Sequence, residues 1–130
     1  MILVDTSVII AWLDPEHAHH RECWAAIRDW AGRDELAVSA VTFGELAAGA
    51  RTREAVEEDL KGFSRIELDF ESAWRAGQVF RRYHPGKRET PVLPDFFIRA
   101  QASVLSVPHL TNDRRRMAAW PDVEFVFPKV

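Results

Sequence analysis

A chain of 130 residues, 47% hydrophobic and 28% charged, fits one folded domain with a core of its own and excludes a disordered tail. A formal charge of −3 excludes holding nucleic acid by bulk attraction alone, although local basic patches can still grip phosphates beside an acidic site. One cysteine, Cys23, cannot form an internal disulfide, and no apolar run reaches the roughly 18 residues of a membrane span; a cytosolic protein without a membrane partner is expected.

Taken in chain order, Ile2-Leu3-Val4 reads as a short buried parallel strand, and Ser7 to Leu13 as a helix halted near Asp14-Pro15. His17 to Ala31 is a longer helix with Trp24, Ile27 and Trp30 on one face and Gly32 as its stop. Leu36-Ala37-Val38 is a second strand; helices over Val41 to Ala50 and Arg53 to Leu60 follow. Ile66-Glu67-Leu68 alternates like a strand, and Phe70 to Tyr83 is helical with Ala73, Trp74, Gly77 and Phe80 on one stripe. His84 to Pro91 is a long loop. Asp95 to Leu105 is a helix with Phe97, Ile98, Ala102 and Leu105 inward, His109-Leu110-Thr111 a strand, Asp113 to Trp120 a short helix and Val123 to Phe127 a last strand. Strands alternating with helices predict an α/β domain on a parallel sheet, one domain over residues 1–130.

Four carboxylates fall at equivalent places in this pattern. Asp5 follows the first strand, Glu45 lies in the first turns of the helix after the second, Asp95 follows Pro94 at a helix start, and Asp113 follows the strand at His109. Strand-to-helix junctions of an open parallel sheet gather at one edge, where ligands bind. Like charges gathered there repel unless a cation offsets them. Mg²⁺ prefers hard oxygen ligands and can activate water for attack on a phosphodiester. Each acid also has an ordinary structural reading. Asp5 can cap a helix, Asp95 and Asp113 can complement a helix N-terminus, and Thr42 with Glu45 fits a capping box.

The segments Met1 to Ile10, Ser39 to Leu46, Leu93 to Ile98 and Leu110 to Asp113 together resemble the PIN-domain family, and within it the VapC-type toxins of bacterial toxin–antitoxin pairs. Their order and spacing span essentially the whole chain. The resemblance implies a three-layer α/β/α domain with a central parallel sheet, Mg²⁺ or Mn²⁺ in an acidic pocket, and endoribonuclease activity. It places the family's catalytic and metal-binding acids on Asp5, Glu45, Asp95 and Asp113, with supporting hydroxyls on Thr6 and Thr111. It also implies a homodimer, and a cognate antitoxin whose tail fills the groove. Two departures add positive charge near the acids: Arg99 stands where relatives carry a small residue, and Arg115 and Arg116 where many carry a further Asp.

Arg99, Arg114, Arg115 and Arg116 are therefore candidates for RNA phosphate contacts, with Lys87-Arg88, Arg81, Arg82, Arg51 and Arg53 as further possibilities or plain solvated charges. His17, His19 and His20 have metal-binding chemistry but read better as a solvated helix start, and the five Trp residues read as packing rather than base stacking. The face carrying Leu46, Ala47, Ala50, Val56 and Leu60 fits either a core or an antitoxin helix. Besides the toxin ribonuclease, two readings stand: an RNA-processing nuclease without an antitoxin, and a catalytically silent RNA- or protein-binding module.

Overall fold

The computed structural model describes residues 1–49, 51–83 and 93–129. Within them β1 (Ile2–Val4), β2 (Leu36–Ser39), β3 (Ser64–Ile66), β4 (His109–Leu110) and β5 (Phe125–Val126) form one sheet. Its order is β3-β2-β1-β4-β5 and every neighbouring pair is parallel, with Leu3 opposite both Ala37 and His109. A strand in the middle of such a sheet is covered on both faces, which is why Ile2, Leu3 and Val4 are consecutive apolar residues rather than alternating ones. Burying each contributes about 1.5–3 kcal/mol.

Alternate strand side chains feed two cores. Ile2, Val4, Leu36, Val38 and Leu110 pack with α1 (Thr6–Leu13), α2 (His20–Ala31), α3 (Ala40–Ala47) and α4 (Arg53–Asp59). Leu3 and Ala37 pack on the other side with Phe96, Ile98 and Trp120, under α5 (Phe70–Tyr83) and α6 (Leu93–Leu105). This is the expected three-layer α/β/α arrangement. Leu46, Val56 and Leu60 belong to the first core, so that much of their shared face is internal; Ala50 lies outside the described residues.

Several elements differ from the sequence expectation. β3 sits two residues early, because the Gln101 Nε2 amide donates to the carbonyls of Ile66 (3.4 Å) and Glu67 (3.1 Å) and draws that segment out of the sheet. On α5 the inward residues are Ser72, Ala76 and Val79, and Trp74 is 67% exposed. Small side chains let α6 approach closely, and Phe80 still meets Phe96 edge-on at 5.4 Å. The helix expected over Asp113 to Trp120 is reduced to a single 3₁₀ turn, Met117–Ala119. The cause lies in the site, since Arg99 takes the carbonyls that a helix would need and Arg116 is left-handed, at φ 59°. The long loop expected at His84 to Pro91 lies outside the described residues.

Candidate active site

The sheet order places the strand-order reversal at β1 and β4. The chain leaves β1 towards β2 and β3, then returns to β4 on the opposite side. That is where an open parallel sheet forms a crevice beyond its carboxyl ends, and Asp5 and Asp113 emerge there.

Asp5 is the buried centre of the cluster. It is the N-cap of α1, accepting from the Ser7 amide (3.1 Å) and the Ser7 hydroxyl (2.6 Å). The Thr111 hydroxyl adds a third donor, 3.2 Å from the same Oδ2. The cap reading therefore holds for this residue, and capping leaves it at the crevice. Its other oxygen faces His109 Nε2 at 3.5 Å, an electrostatic contact longer than a made hydrogen bond. His109 is fully buried, and because the Leu3 carbonyl can only accept, its Nδ1–H donates there at 3.1 Å. Burial pushes the Asp5 carboxyl up, but His109 and Ser7 outweigh it and hold the pKa at about 2.

Glu45 does not close a capping box. The N-cap of α3 is Ser39, whose hydroxyl accepts from the Val41 amide, and Glu45 instead accepts from the Thr6 hydroxyl at 2.8 Å. Thr6 and Thr42 share a second hydroxyl bond of 2.8 Å, which ties α1 to α3. Partial burial raises the Glu45 pKa, opposed by Thr6 and reinforced by the charge of Asp5.

Asp95 occupies the first turn of α6. Burial and then the negative charges of Asp5 and Asp113, with Glu45 adding to them, push its carboxyl up to about 6. Carboxylates from four separate chain segments thus act on one another. Asp113 goes the other way: burial disfavours its charge, yet Arg115 overrides this with Nε 3.0 Å from Oδ1 and Nη2 2.9 Å from Oδ2.

Arg99, expected among the phosphate contacts, is 4% exposed. Its Nη1 donates to the Arg115 carbonyl (2.5 Å) and its Nη2 to that of Asp113 (2.9 Å), while the guanidinium lies 5.0 Å from the Phe125 ring. It is a strut for the loop carrying the fourth acid rather than a surface contact. Arg114 is exposed and stacks on Phe127 at 3.7 Å. Arg51 pairs with Asp59 and Arg53 with Glu57, and Lys87 and Arg88 lie outside the described residues. The histidine cluster is spent locally: His17 Nδ1 accepts the His19 amide, His19 contacts Glu22, and His20 bonds the Ala11 carbonyl.

Sequence reasoning overlooked Ser7 and His109 as members of this network, together with Asn112, whose backbone amide donates to the Ser7 hydroxyl at 3.1 Å, and it read Thr42 as a cap partner of Glu45 rather than as a partner of Thr6. Ser7 carried a signal, standing two residues after a candidate cap. His109 carried none, because strand pairing across the sheet is what turns it towards Asp5.

The donor set is all hard oxygen. Among the described residues no three His, Cys, Asp or Glu side chains lie so placed that they could hold a metal ion by themselves. Such a set suits a divalent ion that keeps much of its water and shares ligands with substrate, the habit of Mg²⁺, better than a dry all-protein site.

The PIN-domain family model matches residues 2–121. No curated protein sequence matches significantly. Among solved structures the chain is similar to a toxin–antitoxin complex from Klebsiella pneumoniae, with a TM-score of 0.75 and 24% identity over 99% of this chain and 98% of that one. It is also similar to VapBC2 from Rickettsia felis bound to a promoter DNA fragment (TM-score 0.74, 16% identity, 98% of each chain). A third is the Sarcin-Ricin loop cleaving toxin VapC20 of Mycobacterium tuberculosis (TM-score 0.66, 18% identity, 95% of this chain and 99% of that one). At these identities the likeness establishes a shared fold.

Proposed function

This chain belongs to the PIN-domain family, and from that premise we propose that it is a divalent-metal-dependent endoribonuclease acting as the toxin of a toxin–antitoxin pair. The observation that supports the chemistry is the elevated Asp95 pKa, raised in part by Asp5, Asp113 and Glu45: four acids from distant segments share one field. Such an arrangement is unfavourable without a cation and suited to one. Asp5, Glu45, Asp95 and Asp113 would hold Mg²⁺ or Mn²⁺, and the bound ion would supply an activated water and charge neutralisation at the phosphodiester.

The chain's own residues do the positioning. Ser7 and Thr111 fix Oδ2 of Asp5, so that its lone pairs keep one direction, and Thr6 does the same for Glu45. Arg99 fixes the backbone that carries Asp113. Arg114, next to Asp113 in sequence and stacked on Phe127, is exposed and would be available to RNA phosphate.

Residues 1–130 act as one nuclease domain in this reading, forming a homodimer silenced by a cognate antitoxin. A structural neighbour described as a toxin–antitoxin complex and one described as a toxin cleaving the Sarcin-Ricin loop support the toxin role and an RNA substrate. No helix among the described residues is long and apolar enough to cross a membrane.

The test is cleavage of structured and single-stranded RNA by wild type, Asp5→Asn and Asp95→Asn, with Mg²⁺, with Mn²⁺ and with EDTA. Cleavage should need the ion and fall at least about a hundredfold in each variant. Folded wild-type protein that cuts no RNA with either ion defeats the nuclease reading. Growth arrest on expression, relieved by the product of an adjacent small gene, tests the toxin role separately.

A further inference from the structure

A side-chain cation already sits where that reading needs a divalent one. The Arg115 fork engages both oxygens of Asp113, at 3.0 Å and 2.9 Å, and its Nη2 is 3.9 Å from Asp95 Oδ2. The Arg115 amide also donates to Asp113 Oδ1 at 2.9 Å, so the side chain folds back over its own turn. Planar, two-pronged contact is the geometry in which a guanidinium best satisfies a carboxylate. Two acids that lie on separate elements, α6 and the loop after β4, thus share one arginine.

We propose that Arg115 is an internal counter-cation that competes with the divalent ion for the oxygens of Asp113 and Asp95 and thereby sets the affinity of the site for metal. The inference rests on the metal-site reading above. The two arginines of the site differ in what they can do. Arg99 is buried and pinned by two carbonyls, so it stays when an ion enters. Arg115 is 65% exposed, and an exposed ion pair is a weak contact that a doubly charged ion can break. A divalent ion and a guanidinium on the same carboxylate oxygens repel, so entry of one expels the other.

The experiment is isothermal titration of Mn²⁺ alone into the full chain, comparing wild type, Arg115→Ala, Arg115→Lys, Arg114→Ala and Asp95→Asn, with circular dichroism confirming that each is folded. Arg115→Ala should bind Mn²⁺ about three- to tenfold more tightly than wild type. Arg115→Lys keeps the charge but loses the fork, and should fall between the two. Arg114→Ala removes the same charge one residue away and should change affinity less than about twofold, which separates competition from general charge. In an Asp113→Asn background, Arg115→Ala should bring a much smaller gain. Equal affinity in wild type and Arg115→Ala, or an equal gain from Arg114→Ala, overturns the proposal. Failure of both wild type and Arg115→Ala to bind Mn²⁺ in a manner dependent on Asp95 would instead remove the metal-site reading beneath it.

Discussion

Asp95 carries most of the electrostatic cost of the cluster. Its folded pKa of about 6 lies above the ordinary 3.8, so the folded protein holds that proton more tightly than the unfolded chain does. Well below pH 3.8 the residue is neutral in both states and costs nothing. As pH rises from about 4 to 6 the folded state loses stability, up to about 3 kcal/mol and less where solvent screens the charge. Asp95→Asn should therefore raise the melting temperature of the metal-free protein by roughly 3–6 °C at pH 7.5 and leave it nearly unchanged at about pH 2.5. Matching melting curves at both pH values would refute this. The acid at this position was legible in the sequence, standing after Pro94 at a helix start; its altered acidity was not, since that depends on burial and on three carboxylates brought near by folding.

The loop from Asn112 to Arg116 is held from within. Arg99 supplies two hydrogen bonds to its carbonyls, and the left-handed Arg116 ends it. Arg99→Ala leaves both carbonyls without that donor and opens a void beside Phe125, which should cost about 2–4 kcal/mol in urea denaturation and speed amide exchange in residues 112–116. Unchanged stability would mean that the loop holds itself. Arg116→Gly relieves the left-handed strain and should add roughly 0.5–1 kcal/mol in the same measurement. Apolar period revealed α5 as a helix but not which stripe faces inward, because Trp74 and the small residues compete for that face. The same limit applies to β3, whose end is set by Gln101, 34 residues away from Glu67. A helix over Asp113 to Trp120 was a fair inference from local composition, and a buried arginine on another element overrides it.

Whole-molecule stability should respond to the ion. A ligand that binds only the folded chain stabilises it by mass action, about 2.7 kcal/mol at a hundred times its dissociation constant. Mn²⁺ at such a concentration should raise the melting temperature of wild type by roughly 5–10 °C and that of Asp5→Asn by far less. An equal rise in both would place the ion elsewhere on the surface. The coupling follows from topology: Asp5 leaves β1 and Asp113 follows β4, strands that pair although more than a hundred residues apart in sequence, so an ion held between them would join the two paired strands most distant along the chain.

The sequence by itself determined the α/β class and the parallel sheet and singled out the four acids as candidates, because strand and helix periods, and acids near helix starts, are local features that survive in one dimension. The tertiary structure alone decided that Glu45 bonds Thr6 rather than capping its own helix, that Arg99 is a strut rather than a phosphate contact, and that His109 faces Asp5. Each of those outcomes rests on a partner from another element, and which partner comes within a few ångströms is fixed by sheet order and helix packing rather than by neighbours along the chain.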